Sequence, residues 1–319
     1  MEITPAYDHD FPEMIALLKR SLGEDKIPIT ENTIRWKHYQ NPFGQSAIFL
    51  AREQGAIIGL RAFMRWTWQT QTETIQAVRA VDTATDPAHQ GKGIFKTLTM
   101  NAVEACTREG VSLVFNSPNE KSRPGYLKMG WKVSGKMPLH MGIGSVIPLT
   151  YQEDRLQEQM RVLGAEPDFS ALDPEWVFPT DSIFFQTPLS TRYLNWRYRD
   201  CPIFNYYALV DPGLFGIVFG FRPRKGFIEL RICEAWTHSA AGVSASRASL
   251  KQLLRKVRPM FVTCAPTPSW AGGQQRPFGL PGPFLMGPVT TLRPLAMQNL
   301  HTFEAFNSWK PSIGSMELF

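Results

Sequence analysis

A ten-residue segment of this chain, residues 86–95, has the composition of an anion-binding loop. Its sequence is Asp-Pro-Ala-His-Gln-Gly-Lys-Gly-Ile-Phe, and it lies between a β-prone run, residues 75–85, and a helix-like segment, residues 96–109. A helix that follows a glycine turn begins with unpaired backbone N–H groups, and these donors and the helix dipole favour an anion. The two glycines permit positive φ and a close approach of the backbone, and the lysine adds charge. The segment therefore predicts a site for a pyrophosphate.

A second segment carries Asn119, Tyr126, Gly130 and Trp131. Together the two segments resemble the GNAT superfamily of acyl-CoA-dependent N-acyltransferases. The first has the form of the family's Gln/Arg-x-x-Gly-x-Gly/Ala signature, and the second that of its Asn…Tyr-x-x-x-Gly-Phe/Trp element. The resemblance covers roughly residues 1–145. It implies the GNAT fold, an α/β fold with a mixed sheet, and acetyl-CoA or another acyl-CoA as co-substrate.

The resemblance also implies which residues hold CoA. The strand before the loop would pair with the pantetheine arm through its backbone, and the loop would bind the pyrophosphate. The residues concerned are Val81, Thr83, Thr85, Gln90, Gly91, Lys92, Gly93, Ile94, Phe95 and Asn119. Phe95 departs from the small residue that usually ends the signature, although similar bulky residues occur in tandem-domain members of the family. Asn119 has an alternative role as a turn-forming residue.

Acyl transfer from a thioester to an amine needs a neutral amine and a group that protonates the leaving thiolate. By resemblance, Tyr126 matches the tyrosine that faces the CoA sulfur and acts as general acid; the alternative is an aromatic residue of the core. Asp82 is a candidate base, because a carboxylate within a strand is uncommon unless it faces a cleft or a partner. The alternative for Asp82 is a buried aspartate hydrogen-bonded to a neighbouring loop.

The last residues of the chain, Ser-Met-Glu-Leu-Phe, are apolar for a terminus. In two tandem-GNAT families, the N-myristoyltransferases and the enhanced-intracellular-survival aminoglycoside acetyltransferases, a C-terminal carboxylate enters the cleft of the N-terminal domain and acts as base. The resemblance implies that the α-carboxylate of Phe319, with Glu317 as the second choice, reaches the acceptor amine. The alternative is a tail that packs on the surface and covers the core.

A weak internal repeat predicts two domains. Trp36 and Trp196 each end a helix-like stretch, have a proline six residues later, and precede strand-like runs. We therefore predict a GNAT domain with the acyl-CoA site at residues 1–147 and a degenerate GNAT-like domain at residues 148–319. Because the second half lacks the glycine signature, it would form a wall of the acceptor pocket or act as a structural partner.

The remaining elements follow from apolar periodicity and turn residues. The predicted strands are residues 47–52, 57–67, 206–210, 215–221, 227–236, 260–264 and 289–295, with a helix at 247–257 and a Pro/Gly-rich loop at 266–288.

Composition narrows the class of protein. The chain has 319 residues, 43% of them apolar, enough for two domains with formed cores. The net charge of +6 suits an anionic ligand, although an ordinary soluble surface explains it equally well. Basic runs interleaved with aromatic residues are missing from the sequence, which argues against a nucleic-acid partner. No apolar run approaches the roughly 20 residues of a membrane span.

The N-terminus lacks the charged and apolar regions of a signal peptide, so we expect a cytoplasmic protein. The four cysteines have no metal-like spacing, and we expect them to be reduced and structural, with no bound metal.

The sequence thus predicts a GNAT N-acyltransferase that moves an acetyl or other acyl group from CoA to a primary amine of a small molecule, such as an amino sugar or a biosynthetic intermediate. Two alternatives stay open. One is a GNAT-fold module that binds CoA without turnover, and the other is an acyltransferase with a long-chain or carrier-protein-bound donor. The sequence leaves the oligomeric state open.

Overall fold

A computed structural model describes residues 1–23, 28–148, 152–178, 182–224, 226–267, 269 and 276–316 of the chain. The strands are β1 (Glu2–Pro5), β2 (Ala47–Glu53), β3 (Ala56–Gln69), β4 (Thr74–Thr85), β5 (Leu113–Asn116), β6 (Lys132–Ile143), β7 (Tyr206–Asp211), β8 (Phe215–Arg224), β9 (Phe227–Thr237), β10 (Phe261–Cys264) and β11 (Phe284–Pro294). They form one mixed sheet with the order β1-β2-β3-β4-β5-β11-β6-β10-β9-β8-β7.

Helices pack against both halves of this sheet. They are α1 (Phe11–Leu22), α2 (Glu31–Ile34), α3 (Ile94–Arg108), α4 (Arg123–Lys128), α5 (Glu153–Val162), α6 (Thr191–Leu194), α7 (Ala240–Val257) and α8 (Ile313–Met316). Among the described residues, no helix combines the length and apolar character that crossing a membrane would need.

The two halves of the sheet exchange strands at its centre. Strand β11, from the end of the chain, pairs antiparallel with β5 on one side and with β6 on the other. Strand β6 in turn pairs antiparallel with β10 of the second half. Each half is therefore completed by a strand from the other half. The boundary between residues 147 and 148 stays a prediction, because the sheet continues across both halves.

The repeat predicted around Trp36 and Trp196 is present in the backbone. In each half a one-turn helix leads directly into a five-residue π-helix, Arg35–Tyr39 in the first half and Asn195–Arg199 in the second. A π-helix of this length is rare and often marks a functional region. The two tryptophan-bearing segments therefore share the same backbone conformation.

Hydroxyl side chains begin both one-turn helices. Thr30 accepts a hydrogen bond from the backbone N–H of Thr33, and Ser190 accepts one from the backbone N–H of Tyr193. Such caps satisfy donors that the first turn of a helix leaves unpaired. They fix the point at which each tryptophan-bearing segment enters the fold.

Aromatic side chains fill the space between the halves. The largest core cluster draws on both halves and includes Trp36, Trp66, Trp68, Phe115, Tyr193, Trp196, Trp236 and Trp309. Burial of several such rings, which each remove a large apolar area from water, ties the halves into one core.

Most predicted elements are confirmed with shifts of a few residues, and two are wrong in extent. Helix α7 begins at Ala240 rather than at residue 247, because Ser239 caps it by accepting a hydrogen bond from the N–H of Gly242. Strand β11 begins at Phe284 inside the predicted loop, because it pairs with β6 there and an irregularity in register takes up the glycine and proline before Val289. Residues 268 and 270–275 of the predicted loop lie outside the described residues.

Candidate active site

Strands β4 and β5 separate part-way along their length. They pair in parallel only over residues 77–79 and 113–115. Beyond Arg79 the strands diverge, and a cleft of about 200 Å³ lies between β4 and the segment that follows β5. Side chains from four parts of the chain border it, among them Lys37, Arg61, Arg79, Asp82, Ser117 and Tyr126.

A β-bulge bends β4 at this cleft. Arg61 of β3 lies opposite Thr83, and the next residue of β3, Ala62, lies opposite Val81. Asp82 is therefore the extra residue of the bulge. A bulge bends its strand and redirects a side chain, which explains why β4 leaves β5 here.

The glycine loop at the end of β4 has the conformation predicted for it. Gly91 and Gly93 have φ values of 79° and 77°. Helix α3 begins directly after Gly93, and no side chain caps it. A Cβ placed on either glycine would meet no described atom within 4 Å. Gly91, Lys92 and Gly93 are exposed, and an uncapped helix start after a glycine turn is the arrangement that binds phosphate groups.

Asp82 lies at the centre of a polar cluster. Its carboxylate accepts hydrogen bonds from Lys37 Nζ at 3.0 and 2.9 Å and contacts His38 Nε2 at 2.8 Å. The other imidazole nitrogen, Nδ1, lies 2.9 Å from the hydroxyl of Ser46. The side chain of Asp82 is 22% exposed, whereas Lys37 and His38 are buried. Two successive residues of the first π-helix therefore hold the bulged carboxylate.

These contacts set the charge of each group. Burial alone would raise the pKa of Asp82, but the charge of Lys37 and the hydrogen bond with His38 outweigh it and hold that pKa well below its usual range. Burial lowers the pKa of His38, against the opposing effect of Asp82. At neutral pH Asp82 is therefore a carboxylate and His38 a neutral imidazole.

With this geometry established, comparison with known proteins identifies the first half. Residues 2–134 match the family model of the acetyltransferase (GNAT) domain. This part of the chain is a GNAT domain. No curated protein matches the sequence.

Solved structures extend the likeness in fold to nearly the whole chain. A protein of unknown function from Enterococcus faecalis, described as a probable N-acyltransferase, is 10% identical with a TM-score of 0.62 over 93% of this chain and 73% of its own. A GCN5-related N-acetyltransferase from Anabaena variabilis is 12% identical with a TM-score of 0.58, over 92% and 72% of the two chains. Eis1 from Mycobacterium abscessus is 11% identical with a TM-score of 0.52, over 92% and 74%. At these identities the likeness concerns the fold alone.

The second half differs from the GNAT domain in the pairing of its strands next to the bulge and in the start of the helix that follows. Strand β9 stays paired with β10 as far as Ile232, the residue before its own bulge at Cys233. Helix α7 is capped by Ser239, and a Cβ on Gly242 would collide with the carbonyl of Leu214. In the described part of the second half, the strands therefore do not diverge before the bulge and the helix N-terminus is packed.

Tyr126 of the GNAT domain lies at the cleft, as its predicted role requires. The residue is 3% exposed and borders the cleft on the α4 side. The ring of Phe95 meets it edge-on at 5.4 Å. This packing explains why the signature of this GNAT domain ends in a bulky residue, since the phenylalanine turns towards Tyr126.

The other predicted CoA residues fall into two groups. Val81 and Thr83 border the cleft, and Thr85 ends β4 before the loop. Gln90, Gly91, Lys92 and Gly93 are exposed in the loop, and the side chain of Ile94 is buried. Ile94 could therefore contribute only its backbone N–H to a ligand.

Asn119 has the turn-forming geometry that was the alternative to CoA contact. Its side-chain oxygen accepts hydrogen bonds from the backbone N–H and the hydroxyl of Ser122, at 2.9 and 3.0 Å. It thereby fixes the start of α4, which carries Tyr126, while it also borders the cleft.

Phe319 and Glu317 lie outside the described residues, so their predicted role as base stays a prediction. The residues just before them are fixed at the cleft. Arg79 donates hydrogen bonds to the carbonyl oxygens of Ser315 at 2.6 Å and Met316 at 2.8 Å. Burial, with a contribution from the charge of Arg197, lowers the pKa of Arg79 to about 9.

Lys37, His38, Arg61 and Arg79 were not predicted as site residues. Arg61 and Arg79 are charges within apolar strands, which is the same signal that pointed to Asp82. Lys37 and His38 belong to the segment next to Trp36 and carry no local signal, because only the bulge of β4 brings the aspartate to them.

A larger cavity, of about 960 Å³, lies on the side of the second half. Its lining is mostly apolar and includes Met137, Met141, Phe227, Phe261, Met286 and Met316. Met316 links the two spaces, because its side chain lines this cavity while its carbonyl oxygen binds Arg79 of the cleft.

Proposed function

We propose that this protein transfers an acetyl or other acyl group from CoA to a primary amine of a small molecule, such as an amino sugar or a biosynthetic intermediate. One observation carries the proposal: β4 borders a cleft beside β5 together with Tyr126, and the same strand continues into the glycine loop and the uncapped N-terminus of α3. We place the acyl-CoA in the GNAT domain alone, because the second half has a closed strand pair and a capped helix at the matching positions.

Strand β4 and the glycine loop bind different parts of the acyl-CoA. The open edge of β4 from Ala80 to Thr85 offers backbone donors and acceptors to the pantetheine arm. The N–H groups that follow Gly93, together with Lys92, bind the pyrophosphate. These contacts fix the thioester at the inner end of the cleft, where Tyr126 lies.

In the chemical step, an acceptor amine attacks the thioester carbonyl and the CoA sulfur leaves. Tyr126 donates its phenolic proton to the leaving sulfur, and the backbone N–H groups of the bulged strand stabilise the oxyanion. The amine must lose a proton to a base. We propose a carboxylate of the segment after Met316, the α-carboxylate of Phe319 or else Glu317, because Arg79 holds this segment at the cleft.

Asp82 was the other candidate base, and its surroundings make it a weak one. Lys37 and His38 occupy its oxygens, and its pKa is held well below the usual range of a carboxyl group, so it accepts a proton less readily than an ordinary carboxylate. We assign Asp82 the role of fixing Lys37 and the first π-helix against the cleft.

We propose that the larger cavity receives the body of the acceptor. Met316 lines this cavity and accepts a hydrogen bond from Arg79 of the cleft, and the methionine-rich lining suits an apolar or partly apolar molecule. The proposed location in the cytoplasm provides acyl-CoA.

The test of this function is the release of free thiol. The protein is incubated with acetyl-CoA and a panel of primary amines, and CoA is measured with a thiol reagent against a control without amine. An acyltransferase liberates CoA with at least one amine, and mass spectrometry finds the acylated product. Tight CoA binding with no thiol release across the panel would instead establish a binding module.

A further inference from the structure

Arg61 is a fully buried cation that has no hydrogen-bond or ion-pair partner among the described residues. It lies in β3, is 0% exposed, and borders the cleft. None of its three guanidinium nitrogens has a hydrogen-bond partner. A buried charge without hydrogen bonds is strongly unfavourable, so such a group points to a ligand that completes it.

Three aromatic rings surround the guanidinium. Its central carbon lies 5.0 Å from the ring centre of Phe63, 5.3 Å from that of Tyr126 and 5.8 Å from that of Phe95. Ring faces attract a cation and hold it in place. They do not accept the in-plane N–H hydrogen bonds of a guanidinium, so its donors stay available to an oxygen ligand.

A second polar group at the cleft also lacks a hydrogen-bond partner among the described residues. The hydroxyl of Ser117 is buried and also has no partner in the described part of the chain. Ser117 borders the same cleft as Arg61. The guanidinium of Arg61 and the hydroxyl of Ser117, which both lack a hydrogen-bond partner among the described residues, therefore belong to residues that border the same cleft.

The charge balance of the cleft favours an anion. Three cationic side chains border it, Lys37, Arg61 and Arg79, and Asp82 is the one carboxylate among its described lining residues. Lys37 is bound to Asp82 and Arg79 to backbone carbonyls, which leaves the charge of Arg61 uncompensated.

The phosphates of CoA do not supply an anionic ligand for Arg61, because they are assigned to the start of α3. The acetyl end of acetyl-CoA does not supply one either, because it carries no charge. We propose that the substrate carries a carboxylate that binds the guanidinium of Arg61 in a bidentate manner and accepts a hydrogen bond from Ser117. The planar fork of an arginine matches a carboxylate in geometry. This inference deepens the proposed function and rests on it.

The carboxylate has two sources, and the experiment separates them. In the donor arm, calorimetry compares succinyl-CoA with acetyl-CoA as ligands. In the acceptor arm, the CoA-loaded protein is titrated with amines that differ by a carboxylate, 4-aminobutyrate against butylamine and β-alanine against propylamine. We expect the carboxylate-bearing probe to bind about 10-fold tighter in one arm. Equal affinities in both arms, with CoA binding intact, overturn the inference and leave the proposed function standing.

The variant Arg61→Met tests whether Arg61 causes the preference for carboxylate-bearing probes. We expect it to reduce the preference to within about 2-fold while the affinity for acetyl-CoA stays unchanged. The unfolding temperature without ligand should stay the same or rise, because an uncompensated buried charge is replaced by an apolar group of similar length.

Arg293→Met is the matched control. Arg293 also packs on an aromatic ring, 5.4 Å from the centre of Trp131, but it lies outside the cleft lining and donates a hydrogen bond to the carbonyl of Met129 at 2.7 Å. Its replacement should lower the unfolding temperature and leave the carboxylate preference unchanged. An Arg61→Met protein that loses as much stability as this control, or keeps the preference, contradicts the assignment. Absence of CoA binding in the wild-type protein contradicts the proposed function itself.

Discussion

Trp36 and Trp196 exchange reciprocal hydrogen bonds across the centre of the molecule. The indole N–H of Trp36 donates to the carbonyl oxygen of Trp196 at 2.6 Å, and the indole N–H of Trp196 donates to the carbonyl oxygen of Trp36 at 2.7 Å. Their rings stack with centres 5.5 Å apart. This pair joins the two π-helices, and the first of these presents Lys37 and His38 to the cleft. The repeat is therefore also a support for the site.

We expect Trp36→Phe and Trp196→Phe each to lower the free energy of unfolding by about 2–3 kcal/mol, since each removes a buried hydrogen bond and leaves a small cavity. The double variant should lose less than the sum, because the two bonds belong to one contact. Trp131→Phe is a control, since the buried indole N–H of Trp131 has no partner among the described residues. Denaturant unfolding measures all four proteins. Strict additivity would contradict a coupled pair.

Asp82→Asn should lower the free energy of unfolding by about 3 kcal/mol at pH 7, because it leaves the buried ammonium of Lys37 without its counter-charge. The folded-state pKa of Asp82 is lowered, so its contribution is present above the unfolded pKa of about 3.9 and is lost as the pH falls through the folded value. The difference from wild type should accordingly persist from pH 7 to about pH 4. Adding Lys37→Met should recover part of the loss, and no recovery would mean that the ion pair is not the cause.

Tyr126→Phe should lower kcat by roughly 100-fold with little change in the Kd for CoA, because it removes a proton donor and little packing. Steady-state kinetics and equilibrium binding on the same preparation separate the two effects. If affinity and rate fall together, Tyr126 is a packing residue of the core.

Two glycines added after Phe319 should lower kcat by roughly 100-fold, because small displacements of a positioned group are costly in rate. A protein with the same glycines added before Met1 is the control, and Glu317→Gln tests the second candidate. Full activity of the extended protein at unchanged thermal stability would exclude the α-carboxylate as base.

Local pattern was enough for the strand, glycine loop and helix around residues 86–95. Anion binding by that segment depends on positive φ at two glycines and on an uncapped helix start. Both features are determined by residues that are neighbours in the sequence. The repeat around Trp36 was visible for the same reason, since a tryptophan that ends a helix-like stretch and a proline six residues later recur in both halves.

Long-range pairing was not predictable in the same way. Nothing in the segment around Phe284 indicates that it enters the sheet between β5 and β6, because its Pro/Gly-rich sequence resembles a loop and only the partner strand fixes it. The cleft residues Lys37, Arg61 and Arg79 come together through the pairing of β3 with β4 and through the bulge at Asp82, which binds Lys37. A charge within an apolar strand shows that a partner is needed, but not which one.

We expect one acyl-CoA to bind per chain, at the glycine loop of the GNAT domain. Gly93→Asp tests it, because a carboxylate there repels the pyrophosphate and strains a residue at φ 77°. Gly110→Asp is the matched control, since Gly110 has φ 76° and open surroundings at the far end of α3.

The measurement is calorimetric titration of CoA into the wild-type protein and both variants, with thermal unfolding as a check on folding. We predict one site per chain in wild type and in Gly110→Asp, and none in a folded Gly93→Asp. Unchanged CoA affinity in Gly93→Asp would contradict binding at the glycine loop. Two equivalent sites in the wild-type protein would contradict a single site per chain.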